Sequence, residues 1–391
     1  MTRPLRILML HNRYLIRGGE DVSTEAQVDL LRGAGHEVVL FEESNERVAE
    51  LGRLVTASRT IWSRESYRRV AGILEESRFD VVHVQNWFPL LSPSVYYAAD
   101  KADVPVIQSL RNFRLVCPQG MLYRGGSVCT DCIGRSVAWP GVKYRCYRNS
   151  TLGTAAVAAM STGHRWAGTW KRKISRYVAP SQYARSVFVD AGWDPEAIDV
   201  IPNFIYPDPR EGPGDGGFAL YAGRLDPVKG LDTLLAAWEQ GGIEYPLKIA
   251  GSGPLLDRVE AAAFRNPFVE YVGMLDKAVY AELVGRASFV VVPTVGIETF
   301  GRVAAEALAK GTPAVVADHG GLREIVVAGE TGLLFPPGDV VALVDRIRSL
   351  LADPQRLAAM REACRRSYAS TFSGDRALTA WTDLYSEVRM Q

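Results

Sequence analysis

At 391 residues, 47% of them hydrophobic and 23% charged, the chain has the composition of a globular protein and more material than one core accommodates. No apolar run approaches the roughly 18 residues of a membrane-spanning helix, and the net charge of +1 hides a split: residues 1–195 carry 26 Lys and Arg against 18 Asp and Glu, residues 196–391 carry 19 against 26. A basic first half suits an anionic partner, a phosphate-bearing substrate or a membrane surface, and suits equally an attraction between two oppositely charged domains; nucleic acid is disfavoured because no recognised binding motif accompanies the charge.

The chain opens MTRPLRILMLH, a basic start followed by a short apolar run. That run has no small-residue cleavage site and leads straight into a turn, so it reads as a first strand rather than a signal peptide, and the protein as cytoplasmic. Segments 6–11, 37–42, 80–84, 104–109 and 198–201 are short, β-branched and bounded by turn residues, as buried parallel strands are. Between them 20–33, 65–77 and 181–191 show helical spacing of apolar positions. Residues 207–217, PDPREGPGDGG, hold almost nothing that could enter a core and read as a linker. The alternation then restarts, with strands at 218–222, 247–250, 269–272, 289–293 and 314–317 and closing helices at about 338–351, 354–370 and 375–389. The expected fold is α/β: two Rossmann-like, doubly wound parallel-sheet domains, 1–206 and 207–374, facing a cleft.

Candidate chemistry follows the same order. Gly18-Gly19 comes after the first strand and opens a helix, where missing side chains let backbone N–H groups approach a phosphate; any tight turn has the same use for two glycines. His11 and His83 end strands and read as rim or core histidines. The series Arg47, Arg53, Arg59, Arg64, Arg68 and Arg69, with Trp62 among them, reads as a solvated helix face, with a membrane surface or an anionic acceptor as the alternative. Cys117, Cys129, Cys132 and Cys146 are spaced like a structural zinc site that would pin a long basic insertion; four reduced thiols are the alternative. In YAGRLDPVKG, Gly223 closes a strand, and Arg224 and Lys229 flank a turn where two cations could clamp a diphosphate. Gly251-Ser252-Gly253-Pro254 follows another strand but is not the dinucleotide fingerprint.

The most specific stretch is 298–321, ETFGRVAAEALAKGTPAVVADHGG. Read as one helix start, it sets Glu298 and Glu306 roughly 12 Å apart along the axis. That is too far for the paired carboxylates of a glycosidase, about 5–9.5 Å apart. Two acceptors at the ends of one extended ligand, with phosphates at the helix N-terminus between them, fit better.

GRLDPVKG, IAGSGP, YVGML and ETFGRVAAEALAKGTPAVVADHGGLREIV…GETGLLFPPGD resemble, in this order, the donor domain of the family-4 glycosyltransferases of GT-B fold; RGGEDV, DVVHVQNWFPLLSPSV, CPQGMLYRGG and VAPSQYARSVF resemble its first domain more loosely. The resemblance implies a retaining hexosyltransferase with a nucleoside-diphosphate sugar as co-substrate and no catalytic metal. The acceptor would be a hydroxyl on a sugar, a lipid-linked glycan or a natural product, and the basic first domain could touch the inner face of a membrane. It implies that Gly18 and Gly19 approach the donor, that Arg224 and Lys229, beside Gly223, bind the diphosphate, and that Glu298 with the backbone of Thr299, Phe300 and Gly301 holds sugar and phosphates. Glu306 would bind the ribose, Gly251 and Val272-Gly273 would face the base, and the closing helix, 375–391, would pack back on the first domain. In one place the sequence departs: where the family has His-Asp or His-Asn this chain reads Leu110-Arg111-Asn112, and arginine is no general base. That departure motivates a rival reading, a non-catalytic sugar-nucleotide-binding paralogue. A phosphorylase-like enzyme on the same fold would need a lysine-bound pyridoxal phosphate and is disfavoured by the short chain.

Overall fold

The computed structural model describes residues 3–390; residues 1, 2 and 391, at the edges of the expected first domain and closing helix, lie outside the described residues. The chain divides into two compact units. The first comprises residues up to 122, 130–202 and from 377 onward, and the second comprises 123–129 and 203–376.

Strands β1 (Arg6–Arg13), β2 (Glu37–Ser44), β3 (Val81–Asn86), β4 (Val106–Ser109), β7 (Arg176–Ala179) and β8 (Ile198–Val200) form the first unit's parallel sheet, in the order β2-β1-β3-β4-β7-β8. A short antiparallel hairpin, β5 (Tyr123–Arg124) and β6 (Ser127–Val128), interrupts the series in sequence and belongs to the second unit. The second sheet takes β9 (Ala219–Ala222), β10 (Leu247–Ala250), β11 (Val269–Gly273), β12 (Phe289–Val292), β13 (Ala314–Ala317) and β14 (Gly332–Phe335) in the order β11-β10-β9-β12-β13-β14. Every residue of β3 and β13 is buried, because helices cover both faces and a one-sided alternation would leave polar residues in the core.

Both sheets are doubly wound, and each reverses direction once. In the first sheet the reversal lies between β1 and β3, and in the second between β9 and β12. Loops leaving the carboxyl ends of strands at such a point open a crevice that no helix fills. The candidate segments after β1, β9 and β12 sit at these two points.

Three features differ from the sequence reading. Strands β7, RYVA, and β14, GLLF, escape it because four residues, one opening on Arg and the other on Gly, show too little periodicity. The helix Thr151–Trp166 escapes it because its buried stripe is built mostly from small residues. The segment 207–217 is no free tether: Gly212 N donates to Lys310 O at 3.0 Å, Gly214 N to Gly285 O at 2.9 Å and Gly216 N to Arg286 O at 2.9 Å. Without side chains these glycines lie flat on the second unit, and Arg361 clasps the Gly212 carbonyl at 2.6 Å.

Candidate functional site

In the second unit the loop 294–301 between β12 and the helix Arg302–Ala309 is braced on both sides. The Thr294 hydroxyl donates to Val228 O at 3.0 Å, and Gly321 N donates to Glu298 O at 2.9 Å. This bracing brings Lys229 Nζ to Glu298 Oε1 at 2.5 Å, with both side chains partly open to solvent. Arg224 is exposed in the loop after β9, its carbonyl accepting the Tyr221 hydroxyl at 2.8 Å. Burial, and then the charge of Glu298, push the Tyr221 pKa upward, so its hydroxyl stays a donor.

The helix itself begins later than the sequence suggests. Gly301 takes φ 107, and a Cβ there would lie 2.4 Å from Leu322 Cδ2, so the chain cannot coil before Arg302. Glu298 is therefore in the loop ahead of the helix, and the axial spacing to Glu306 does not apply. Phe300 turns inward, 5.8 Å from the Phe372 ring centroid. Glu306 is gripped on both oxygens: Arg302 Nε donates to Oε1 at 2.8 Å and the Tyr280 hydroxyl to Oε2 at 2.7 Å. Each oxygen keeps a further lone pair for a ligand hydroxyl. Burial, and then the Glu306 carboxylate, hold the Tyr280 pKa well above its usual value, so this donor persists.

Gly223, Gly251 and Gly273 stand at the ends of the adjacent strands β9, β10 and β11. A Cβ at Gly251, where φ is 141, would fall 1.9 Å from the Gly223 carbonyl oxygen, and Gly251 N donates to Gly273 O at 2.9 Å. The fold itself requires glycine at 251. Val272 precedes Gly273 at the same edge, half-buried.

In the first unit Gly18 caps and Gly19 opens the helix Gly19–Gly33 after β1. Gly18 is a different case from Gly251, because a Cβ would meet nothing closer than 3.9 Å. Its N–H, however, donates to Asp21 Oδ2 at 2.8 Å. Asp21 also meets His11 Nε2 at 2.8 Å. Burial raises the Asp21 pKa, but the bonds from His11 and Gly18 outweigh it and the net shift is downward. Beside it Glu20 accepts from the Tyr14 hydroxyl and from Asn112 Nδ2, both at 3.0 Å. Arg111, after β4, donates to Gln85 Oε1 from Nε at 3.2 Å and from Nη2 at 2.8 Å. His83 is fully buried, and burial with the nearby Arg111 charge holds it neutral.

Sequence reasoning passed over Glu20, Asp21, Tyr280, Gln27 and Gln85. The first two stand in the quoted run RGGEDV and Gln85 in DVVHVQNWFPLLSPSV, where they could have been found; Gln27 and Tyr280 carry no local signal. The cysteines do not gather as a zinc site: among the described residues no three His, Cys, Asp or Glu side chains come together to hold a metal. Cys129 follows the hairpin and is grouped with the second unit, whereas Cys117, Cys132 and Cys146 belong to the first. Within the arginine series, Arg47 and Arg59 pair with Glu65, while Arg53, Arg64 and Arg68 stay exposed.

Two family profiles match in succession, "Glycosyltransferase Family 4" over residues 17–208 and "Glycosyl transferases group 1" over 207–367. Among curated relatives, the glycogen synthase of Mycobacterium tuberculosis is 36% identical over 45% of this chain and 43% of its own length. The phosphatidyl-myo-inositol mannosyltransferase of Mycobacterium leprae is 33% identical over 50% of this chain and 56% of its own, so the chain spans about half the length of these relatives. Its counterpart in Mycolicibacterium smegmatis is 24% identical over 87% of this chain and 83% of its own. Anabaena HepE, solved in complex with UDP-glucose, is similar in fold, with a TM-score of 0.68 at 19% identity over 98% of this chain and 100% of its own.

Proposed function

The chain belongs to the family-4 group of GT-B glycosyltransferases, and on that premise we propose that it moves a sugar from a nucleoside-diphosphate donor to an acceptor hydroxyl with retention of configuration. The donor lies on the second unit. Its diphosphate meets the N–H groups at the start of the helix Arg302–Ala309, where aligned peptide dipoles favour negative charge. Arg224 and Lys229 add two cations that stabilise the charge developing on the departing diphosphate. Glu298 takes the hydroxyls of the transferred sugar, and Glu306, held by Tyr280 and Arg302, takes those of the ribose.

One observation carries this reading: the Lys229–Glu298 pair, cation and carboxylate in contact at the reversal point of the sheet. Lys229→Ala and Glu298→Ala are expected to abolish nucleoside-diphosphate release from the sugar nucleotide that most raises the melting temperature, with the fold kept. Full turnover by both variants defeats the proposal. A wild type that binds such a donor yet turns over no acceptor favours the non-catalytic paralogue.

The acceptor side belongs to the first unit in this proposal, which extends to peripheral contact with an anionic membrane. From Val104 to Val189 the chain carries one carboxylate, Asp131, against thirteen Lys and Arg. On the helix Thr151–Trp166, Leu152 and Trp166 are 78% and 73% exposed, an apolar complement to that charge.

A further inference from the structure

Behind Arg111 lies a buried chain of polar side chains that the proposed transfer does not use. Gln85 Oε1 accepts from Nε and Nη2 of the guanidinium, and Gln27 Oε1 accepts from Nη2 at 3.4 Å. Gln85 Nε2 donates to Gln27 Oε1 at 2.8 Å, and Gln27 Nε2 donates to the Tyr385 hydroxyl at 3.0 Å. That hydroxyl meets His83 Nδ1 at 2.7 Å, and His83 Nε2 meets Ser109 Oγ at 2.9 Å. Gln27, His83 and Tyr385 have no exposed surface and Gln85 has 2%. Tyr385 is on the closing helix Gly374–Arg389, more than 300 residues from the strands it meets.

The chain has a direction. Turning either amide over would set an NH2 group against the guanidinium, donor facing donor, so both oxygens must point at Arg111. Buried polar groups are costly unless fully paired, and a network of this depth has to be held for a reason beyond packing. Two amide oxygens also orient a cation without cancelling its charge, which a carboxylate would do. The long arginine side chain gives up its rotamer freedom to this pair and ends half-buried at the edge of β4.

We propose that Gln85 is the positioning residue for Arg111, and that Gln27 and Tyr385 fix its orientation, so that the closing helix sets where a charge stands at the end of β4. This rests on the reading of Arg111 as part of the transfer site. It makes Arg111 a held cation suited to an anionic group on donor or acceptor, rather than a side chain that swings to meet one.

Two measurements on the full-length protein test it. In the first, nitrogen-15 labelling of arginine side chains reports the Arg111 Nε–H, identified by its loss in Arg111→Lys. Wild type is expected to protect this proton from exchange, Gln85→Leu and Tyr385→Phe to lose protection tenfold or more, and the near-isosteric Gln85→Glu to keep it. In the second, nucleoside-diphosphate release is followed with UDP-glucose, UDP-N-acetylglucosamine and GDP-mannose. Gln85→Leu is expected to lower turnover about tenfold at unchanged KM in the wild-type background, and less than twofold in Arg111→Lys. Protection that survives Gln85→Leu overturns the proposal, as does an equal loss in both backgrounds. Full turnover by Arg111→Lys would instead defeat the functional reading of Arg111, and the exchange data would still decide the positioning.

Discussion

Lys229 Nζ lies 2.5 Å from Glu298 Oε1, joining two loops 69 residues apart at the point where the second sheet reverses. The pair is half-open to solvent, so its net worth to stability is small, about 0–1 kcal/mol. In the proposed transfer its chemistry matters more than its strength: the carboxylate is assigned to hydroxyls and the cation to phosphate, and the contact holds the two side by side.

Charge exchange separates these two roles. Lys229→Glu and Glu298→Lys are each expected to lower the melting temperature by setting like charges together, and the double exchange to restore it. Turnover should stay lost in the double variant, because a phosphate then meets a carboxylate at position 229. Recovery of turnover along with stability would contradict the assignment of the cation.

Tyr280→Phe removes one of the two bonds that hold Glu306 and leaves the ring in place. A bond to a charged acceptor contributes about 1.5–3 kcal/mol. Titration calorimetry with a nucleoside diphosphate is expected to show binding weakened at least tenfold, and an unchanged constant would remove Glu306 from the ribose.

Gly251→Ala and Gly18→Ala are expected to behave oppositely. The first drives a methyl into the Gly223 carbonyl at a positive φ and should cost more than about 2 kcal/mol in urea unfolding. The second meets Asp21 Oδ2 only at an ordinary contact distance of 3.9 Å, so stability should hold while turnover falls. Equal stability losses would show that both glycines serve the fold alone.

The pH dependence of stability follows from the histidines. Burial holds His36, His83, His164 and His319 below the usual value of 6.5. On acidification the unfolded chain therefore takes up protons near pH 6.5 that the folded chain refuses, and stability falls as pH drops through that value. The melting temperature is expected to decline from pH 7.5 to 5.5. A flat or rising profile would contradict it.

Sedimentation with vesicles tests the proposed membrane contact. Binding to phosphatidylglycerol-containing vesicles and not to phosphatidylcholine alone is expected, weakened by salt and by Leu152→Glu with Trp166→Glu. Binding unaffected by the two substitutions would place the contact elsewhere.

Much of this was legible in the sequence because reversal-point loops are short, glycine-rich and close to the strands that define them. Gly223 directly follows β9, and Lys229, Glu298 and Gly301 lie in the loops that leave β9 and β12, so strand assignment places the loops that carry them. Arg111 was placed the same way, but its support was not. Gln27, Gln85, His83 and Tyr385 meet only in three dimensions, and nothing near Tyr385 in sequence announces a hydrogen bond to β3. The helix start at Arg302 was misjudged for a local reason: a glycine in the left-handed region with Leu322 against it looks, in sequence, like any glycine near a helix.

The close approach of Gly251 to the Gly223 carbonyl also limits how this edge of the sheet can vary. A floor made of backbone pressed on backbone offers no side chain to exchange, so on the proposed function a change of base preference has to come from the residues beside it. Beside it Val272 is half-buried next to Gly273, at the end of the neighbouring strand β11, and on the proposed function it is where base preference is expected to be tuned. On the proposed reading, a search for altered base preference begins at Val272 and leaves the glycines untouched.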